Sequence, residues 1–557
     1  MARKAKKKAT KSRKSKKVGK ATKKATGKKT AKKRSAKKEA GNSSVPNPPA
    51  GGGAAAHVPT MQPPASGVKV RMYRHGHGDC FLLAFRGPAG RPVYVLIDCG
   101  YKPGSNVDYG LAEISTVISH IGASTGNHLD LVVVTHEHQD HVNGFGKTGS
   151  SDFDPIAMDE AWFAWTESPT DKLAIELRRR HGDQLLGLVE ARNQLAAADP
   201  GAVGYIDELL SLELGVDTPA QFAAAAKEKK KDPEKSVNKQ GMKLIKDKAG
   251  KERTRYILPH QEGLTIPGVD GVRVYALGPP HDADLLKDEN PQGSEAFPGH
   301  GISMRASFLA AIDPSIAADN QPFYERFAMP WDEARRSEFF KRHYGDDKVA
   351  VTAAAYADEC AANPEWRRIE KDWLFSAEEM ALMLNKGINN TSLVLAFEFE
   401  ASKKVLLFIG DAQRGNWKSW TTSKKKNDKI DLVRDLLART VLYKVGHHGS
   451  HNATLNGATD SDYPCLAWMG QGKFTSEFTA MITAVNKWAL KVKPKPWVHP
   501  LPSIKTALHD KAEGRVFQID TSTLARPDGA SVDDWNDFMG RVHIDPAGLY
   551  FDYEVHN

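Results

Sequence analysis

Long hydrophobic runs are missing from this chain of 557 residues. No stretch of about 18 or more consecutive apolar residues occurs, and the first residues lack the apolar core of a secretory signal. Both absences argue against a membrane-spanning helix and against export. We therefore expect a soluble protein of the cytoplasm, with association with the nucleoid as an alternative location inside the cell.

Cysteine is also scarce. The four cysteines are Cys80, Cys99, Cys360 and Cys465, and no two of them form a CxxC pair. This spacing excludes a zinc finger and a dithiol redox motif. We expect ordinary buried thiols in a reducing compartment.

Acidic residues are almost absent from the first 40 residues. These residues contain 20 of the 78 lysines and arginines against one acid, Glu39, so they carry a charge of +19 in a chain whose net charge is +10. The remaining 517 residues are therefore at −9. The basic pI of 9.1 belongs to this tail, and the rest of the chain is mildly acidic.

Large apolar side chains are equally rare in the tail, where Val18 is the only one within residues 2–38. We predict a disordered tail over residues 1–40 and a Pro/Gly/Ala-rich linker over 41–66, with globular structure from about Val68. The Lys/Ala/Thr pattern is similar to the tails of linker-histone-like proteins. A polycation of this kind binds nucleic acid by counterion release without reading its sequence. A solubilising or expression-related extension, a targeting signal and a contact to acidic lipid are the alternatives.

The rest of the chain has the residues of a folded body. It contains all 11 tryptophans and 21 phenylalanines of a sequence that is 40% hydrophobic. The segment VKVRMYRHGHGDCFLLAF (68–85) predicts a β-hairpin, and PVYVLIDCG (92–100) predicts the next strand. A helix over about 109–122 precedes an apolar strand at 131–134. Strands followed by helices favour an α/β sandwich.

The domain organisation follows from the same patterns. We expect one main domain over 67–475 and an extension over 476–557 that completes or flanks it. Two charged helical segments, about 146–262 and 296–385, are predicted insertions, because the chemistry-bearing motifs fall outside both. The run AAAAKEKKKDPEKSVNKQ (223–240) is expected to be solvated.

The strongest chemical signal is HEHQDH (136–141), directly after the apolar strand. Three imidazoles and a carboxylate within six residues can direct nitrogen and oxygen donors at metal ions. In an extended segment His136 and His138 point alike and can share one ion, while Asp140 and His141 turn toward another. The alternative is a surface loop that happens to be rich in histidine.

HEHQDH resembles the signature of the metallo-β-lactamase fold superfamily. The resemblance implies a four-layer αββα sandwich in which His136 and His138 bind the first metal and Asp140 and His141 the second.

Later motifs match this superfamily in order. Asp98 in LIDCG resembles the strand-end aspartate that orients the site, and Asp411 in LLFIGDA resembles the aspartate that bridges both metals. HHGS offers His447 and His448 for the last ligand, and His448 is favoured from its place beside a glycine.

The chain resembles one branch of the superfamily in particular, the branch that contains the hydrolase domain of DNA-uptake channel proteins and bacterial phosphorylcholine esterases. Four blocks carry this resemblance: HGHGDCFLLAF (75–85), NNTSLVLAFEF (389–399), KVLLFIGDA (404–412) and LYKVGHHGSH (442–451). His77 stands where the branch usually has glutamine.

The remaining site residues are assigned on weaker signals. The superfamily expects one more ligand histidine before the bridging aspartate, and His281 in LGPPH is the candidate, with His260 and His300 as rivals. Near the last ligand, His447, Ser450 and His451 are candidates for substrate contact, because a phosphate oxygen can be held there.

The resemblance implies a centre of two divalent ions. Nitrogen-rich ligation favours zinc, and the carboxylates also admit manganese or iron. Two ions about 3.5–4 Å apart supply an activated hydroxide, and either Asp140 or Asp411 can accept its proton. The sequence therefore predicts a binuclear phosphodiesterase or nuclease that the tail recruits to nucleic acid. The alternative is a nucleic-acid-binding protein whose metallo-β-lactamase-like body is non-catalytic or regulatory. Members of this superfamily also hydrolyse lactams, lactones and thioesters, so the resemblance does not identify the substrate.

Overall fold

The structure, a computed structural model, describes most of the chain from Val58 onward. The described ranges are 58–146, 150–198, 203–216, 218–232, 236–298, 387–421, 426–492 and 496–557, with the single positions 336 and 338. The predicted tail, most of the linker, His300 and nearly all of the predicted insertion at 296–385 lie outside the described residues.

The described residues contain fourteen strands and twelve α-helices. The strands are β1 Val68–Tyr73, β2 Cys80–Arg86, β3 Pro92–Cys99, β4 His128–Val134, β5 Ala157–Ala164, β6 Thr254–Ile257, β7 Val272–Gly278, β8 Val394–Phe399, β9 Val405–Phe408, β10 Thr440–Lys444, β11 Thr479–Ile482, β12 Val516–Gln518, β13 Val542–Ile544 and β14 Tyr550–Val555. The helices are α1 Ile114–Thr125, α2 Gln139–Val142, α3 Lys172–Ala198, α4 Gly204–Leu214, α5 Pro219–Lys231, α6 Val237–Ala249, α7 Ala283–Lys287, α8 Arg414–Ser419, α9 Lys426–Ala438, α10 Asn486–Ala489, α11 Pro502–Lys511 and α12 Val532–Gly540. None of these helices is both long enough and apolar enough to cross a bilayer.

The strands form two mixed sheets. The first has eight strands in the order β13-β14-β1-β2-β3-β4-β5-β6, and the second has six in the order β12-β11-β10-β9-β8-β7. Strands β3 to β6 are parallel, as are β9 to β12, whereas β1, β2 and β8 pair antiparallel with their neighbours. The predicted hairpin at 68–85 is thus the β1–β2 pair.

Both faces of the sheets are covered. Alternate residues of β2 show this: Phe81 and Phe85 enter the core between the sheets, while Leu82 packs on the opposite face with α1 and α6. Phe81 meets Phe408 of the second sheet edge-to-face, with ring centroids 5.5 Å apart. The outer face of the second sheet packs against α8, α9 and α11. Continuous apolar runs are typical of strands buried on both sides. The predicted αββα sandwich is confirmed.

The extension 476–557 supplies strands to both sheets, which is the completing role, one of the two that were expected. Segment boundaries differ from the sequence expectation at two places. The helical part of the segment 146–262 is α3 to α6, and its two ends supply β5 and β6 of the first sheet. The folded body begins before Val68, because Met61 is buried and its carbonyl accepts a 2.9 Å hydrogen bond from Tyr94.

Candidate metal centre

The candidate metal centre lies where four strands end. Asp98 is near the end of β3, the segment 136–141 follows β4, Asp411 follows β9, and His448 follows β10. Strands β3 and β4 are parallel, and so are β9 and β10. The carboxyl ends of each pair therefore meet at one edge, which is where open α/β sheets collect functional side chains.

Two glycines let the backbone approach the signature loop closely. A Cβ at Gly78, where φ is +152°, would lie 2.5 Å from the carbonyl oxygen of Asp140. A Cβ at Gly100 would lie 2.5 Å from the backbone nitrogen of His141. Only glycine fits such approaches, so the blocks HGHGDC and LIDCG support the loop that carries the ligands.

His136 and His138 face each other. Nε2 of His136 lies 3.0 Å from Nδ1 of His138. The outer nitrogen of His136, Nδ1, is 3.1 Å from Oγ1 of Thr135 and 3.3 Å from Oγ of Ser392. The outer nitrogen of His138, Nε2, is 3.0 Å from Oε1 of Glu213. Each ring thus turns one nitrogen inward and holds the other in a hydrogen bond.

His141 repeats this arrangement with Asp98. Its Nδ1 lies 2.8 Å from Oδ2 of Asp98. The hydroxyl of Thr135 donates a 2.6 Å hydrogen bond to the same oxygen, and the backbone N–H of Thr135 donates a 2.8 Å hydrogen bond to Oδ1 of Asp98. The inward Nε2 of His141 lies 3.3 Å from Oδ2 of Asp411. This Nε2 has no hydrogen-bond partner among the described residues, although it is buried. An unsatisfied buried nitrogen of this kind fits a metal site.

His448 and Asp140 complete the cluster. Nε2 of His448 is 3.1 Å from Oδ2 of Asp140 and 3.8 Å from Oδ2 of Asp411, while its Nδ1 is 2.9 Å from Oγ1 of Thr483. Two groups of three residues bring their donor atoms within 4.8 Å of one another, namely His136, His141 and Asp411, and Asp140, His141 and His448. Imidazole nitrogens with carboxylate oxygens are the donor set of zinc and similar divalent ions, so the residues fit the expected metals.

Two carboxylates of the cluster, those of Asp411 and Asp140, favour the charged form in spite of their burial. Burial alone would raise the pKa of Asp411, but the positive potential of His141 and His448 outweighs it and holds that pKa well below its usual range. Burial would also raise the pKa of Asp140, but the hydrogen bond from His448 outweighs burial and lowers that pKa well below its usual range. Ionised carboxylates are the form that binds a cation.

Asp79 and Lys444 are site residues that the motif search missed. Nζ of Lys444 contacts Oδ2 of Asp79, lies 3.7 Å from Oδ1 of Asp411, and donates a 2.9 Å hydrogen bond to the carbonyl of Gly410. Burial would lower the pKa of Lys444, but Asp79 and Asp411 outweigh it and raise the pKa. Asp79 lies in the block HGHGDC and Lys444 in the block LYKVGHH. Membership of these motifs is the sequence signal that could have indicated the two residues.

His281 is not brought into the cluster. It follows β7, the edge strand of the second sheet, two strands away from β9. Its side chain is 41% exposed, and Nε2 lies 2.9 Å from Oδ2 of Asp171. Of its rivals, His260 follows β6, the edge strand of the first sheet, and His300 lies outside the described residues. We therefore do not include His281 among the proposed metal ligands.

This placement gives a first testable prediction. Replacing His281 by Ala should leave the stoichiometry and affinity of zinc binding unchanged, because the imidazole contacts Asp171 at the surface rather than pointing at the cluster. Competition against a chelator measures the affinity. A tenfold or larger loss would show that the ring turns inward when the metal binds.

The cluster opens into a small cleft. The cleft has a volume of about 80 Å³ and is lined by His77, His138, Asp140, Leu209, Leu212, Asp411, His447, His448, Ser450, His451, Asn452, Trp497 and His499. The three predicted substrate-contact residues, His447, Ser450 and His451, are thus in its wall. Burial lowers the pKa of His447 to about 4, so this ring is neutral near pH 7. Its Nδ1 is 2.7 Å from Oγ of Ser450, and its Nε2 is 4.0 Å from Oδ2 of Asp411.

Four other residues that line the cleft, Leu209, Leu212, Trp497 and His499, belong to no motif. The ring of His499 stacks on that of His77 with centroids 5.6 Å apart, and Trp497 lies 5.7 Å from His499. Leu209 and Leu212 come from α4 of the helical segment. These four residues lie far from the ligands in sequence and share no pattern with them, so only the fold brings them together.

Comparison with known proteins adds little to this geometry. No protein-family model matches the chain, and no curated protein matches it. Among solved structures, the chain is similar to a β-lactamase domain protein from Burkholderia ambifaria, with 18% identity and a TM-score of 0.20. The match covers 41% of this chain and 52% of that one, so it spans about half of that protein's length. A likeness this small carries no argument, and the site stands on its own contacts.

Proposed function

We propose that this protein is a metal-dependent hydrolase with a binuclear centre. The observation that carries the proposal is the convergence of His136, His141, His447 and His448 on one oxygen. The Nε2 atoms of these rings lie 3.9, 3.3, 4.0 and 3.8 Å from Oδ2 of Asp411. Three of these rings, His136, His141 and His448, are proposed ligands, and a buried carboxylate oxygen among them is placed to be shared by two ions.

The proposed ligands divide into two sets. His136 and His138 hold the first ion, Asp140, His141 and His448 hold the second, and Asp411 is shared. Asp98 fixes His141 from outside. Zinc is the favoured metal, and manganese and iron are the alternatives. When bound, such ions activate water and stabilise negative charge on the attacked group.

The protein residues supply the remaining chemistry. Asp140 lines the cleft, so its carboxylate is placed to take the proton of the attacking water. His447 and Ser450 also line the cleft and offer polar atoms to an oxygen of the substrate. Leu209, Leu212 and Trp497 restrict water around the reacting group, which strengthens these interactions.

We further propose a phosphodiester as the substrate. The four blocks that resemble the DNA-uptake and phosphorylcholine-esterase branch support this class, and the tail of +19 favours a polyanion. A nucleic-acid-binding protein with a non-catalytic body is the second candidate, and it rests on the tail alone.

Metal content and turnover distinguish the two candidates. The full chain is purified, its metal content is measured, and cleavage of bis(p-nitrophenyl) phosphate and of plasmid DNA is assayed with zinc, manganese and iron. A chain beginning at Val58 is assayed in parallel, because Met61 already belongs to the folded body. Metal binding with ester cleavage by both chains supports the hydrolase. DNA binding without turnover in any metal supports the second candidate.

The tail gives a second prediction. Deleting residues 1–40 should weaken DNA binding and flatten its dependence on salt, because the cations that release counterions are removed. Cleavage of the small ester should not change, since the catalytic residues remain. Fluorescence anisotropy of a labelled oligonucleotide at several salt concentrations measures the slope. An unchanged slope would assign nucleic-acid binding to the body instead.

A further inference from the structure

The helical segment between β5 and β6 reaches into the candidate metal centre through one carboxylate. Glu213, near the end of α4, is only 1% exposed. Its Oε1 lies 3.0 Å from Nε2 of His138, and its Oε2 lies 3.1 Å from Nε2 of His181 on α3. A single side chain therefore joins a proposed metal ligand to a second helix.

The contact determines which nitrogen of His138 faces the metal. Both carboxylate oxygens of Glu213 face an imidazole nitrogen, Oε1 that of His138 and Oε2 that of His181. A carboxylate accepts hydrogen bonds, so Nε2 of His138 donates its proton to Glu213. The lone pair is then on Nδ1, the atom that lies 3.0 Å from Nε2 of His136.

The backbone around Glu213 is fixed by two other helices. Nζ of Lys229 on α5 donates a 3.1 Å hydrogen bond to the carbonyl of Glu213 and a 3.0 Å hydrogen bond to Oε1 of Glu137. Nδ2 of Asn238 on α6 donates a 2.9 Å hydrogen bond to the carbonyl of Leu212. The position of the carboxylate is thus set by packing, which is the condition for orienting a ligand accurately.

A separate cation site at this place fits the charges less well. Donor atoms of Glu137, His181 and Glu213 do lie within 4.8 Å of one another. However, Lys229 and Lys239 occupy the two oxygens of Glu137 at 3.0 and 2.8 Å. Two buried ammonium groups would repel a metal ion, so Glu213 serves the histidine beside it.

We propose that Glu213 is a positioning residue of the metal centre, which holds His138 in the tautomer and orientation that bind the first ion. The helical segment α3 to α6 is then part of the centre and not only a cover over it. This inference rests on the metal-binding half of the proposed function and is independent of the substrate. Carboxylate partners of metal-bound histidines raise ligand basicity, and their loss typically weakens metal binding by about 10- to 100-fold.

Metal affinity in the full-length protein tests this role. Metal-free protein is titrated with zinc in competition with a chelator, and Glu213→Ala should bind about 10- to 100-fold more weakly than the unchanged protein. Glu213→Gln should lie between them, because its amide oxygen still accepts the proton of His138 without carrying charge. Asp207→Asn is the matched control. Asp207 also lies on α4 and pairs with α3, through Arg192 at 2.6 Å, but does not touch His138.

Proton NMR of the cobalt-loaded protein gives a readout that general destabilisation would not produce. The Nε2 proton of His138 should give a hyperfine-shifted exchangeable signal in the unchanged protein and lose it to solvent exchange in Glu213→Ala. Equal zinc affinity in both proteins, or an equal loss in Asp207→Asn, would overturn the role of Glu213 while leaving the hydrolase proposal intact. If Glu213→Ala does not fold, absence of the protected signal in the unchanged protein overturns the role. If the unchanged protein binds neither zinc nor manganese nor iron, both proposals fail.

Discussion

Replacing Asp411 by Asn should reduce hydrolysis of a test phosphodiester by more than about 100-fold and remove bound metal at the same time. Even outer partners of metal ligands are worth about 10- to 100-fold, and Asp411 is a proposed direct ligand of both ions. Asparagine keeps the shape of the side chain but loses the charge. Metal content of the purified variant and its initial rate with bis(p-nitrophenyl) phosphate are measured together.

The matched control for this variant is Asp435→Asn. Asp435 lies on α9, is 58% exposed, and pairs with Arg439 on the surface. We expect its metal content and rate to equal those of the unchanged protein. An Asp411→Asn protein that kept both its metal and its turnover would show that the convergence of imidazoles on Oδ2 has another purpose.

Lys444 explains why Asp411 presents one oxygen to the cluster rather than two. Its ammonium lies 3.7 Å from Oδ1, whereas Oδ2 faces the histidines. The same lysine contacts Asp79, and Asp79 accepts a 2.7 Å hydrogen bond from Thr483, which in turn contacts His448. The charge of Lys444 thus offsets one carboxylate behind the cluster and leaves the others for the metals.

The sequence predicts the fold and most of the central cluster because both depend on local patterns. Apolar runs such as the one in β4 predict strands buried on both faces. The proposed ligands follow strands directly, so the rule that parallel strands end at one edge brings 136–141, Asp411 and His448 together. His281 also follows a strand, but β7 is at the edge of its sheet, and the order of strands cannot be read from local patterns.

The outer partners could not be predicted, because they depend on how the helices pack. The run 223–240 is rich in lysine and was expected to be solvated, which is wrong for Lys229 and Lys239. Both are buried, with 4% and 1% exposure, because they neutralise Glu137 of the signature. Their neighbours Lys230 and Lys231 are exposed, as expected. Composition alone does not show which of these lysines are buried. No sequence pattern indicated Glu213 either, because its contact with His138 also depends on how the helices pack.

Replacing Lys239 by Met should cost about 3–5 kcal/mol of unfolding free energy, the range for breaking a buried ion pair from one side. Nζ of Lys239 lies 2.8 Å from Oε2 of Glu137 and also contacts Glu167, and these carboxylates are buried as well. Methionine fills the space but leaves their charge uncompensated. Urea denaturation of the metal-free protein measures the loss.

Lys243→Met provides the comparison on the same helix. Lys243 is one turn further along α6, its side chain is 59% exposed, and it pairs with Asp247 at the surface. Surface pairs contribute about 0–1 kcal/mol, so this variant should unfold close to the unchanged protein. If the two variants lost equal stability, the effect would come from the propensity of α6 to form a helix. A large loss confined to Lys239→Met would mean that the signature loop depends on the helical segment for its charge balance as well as for the orientation of His138.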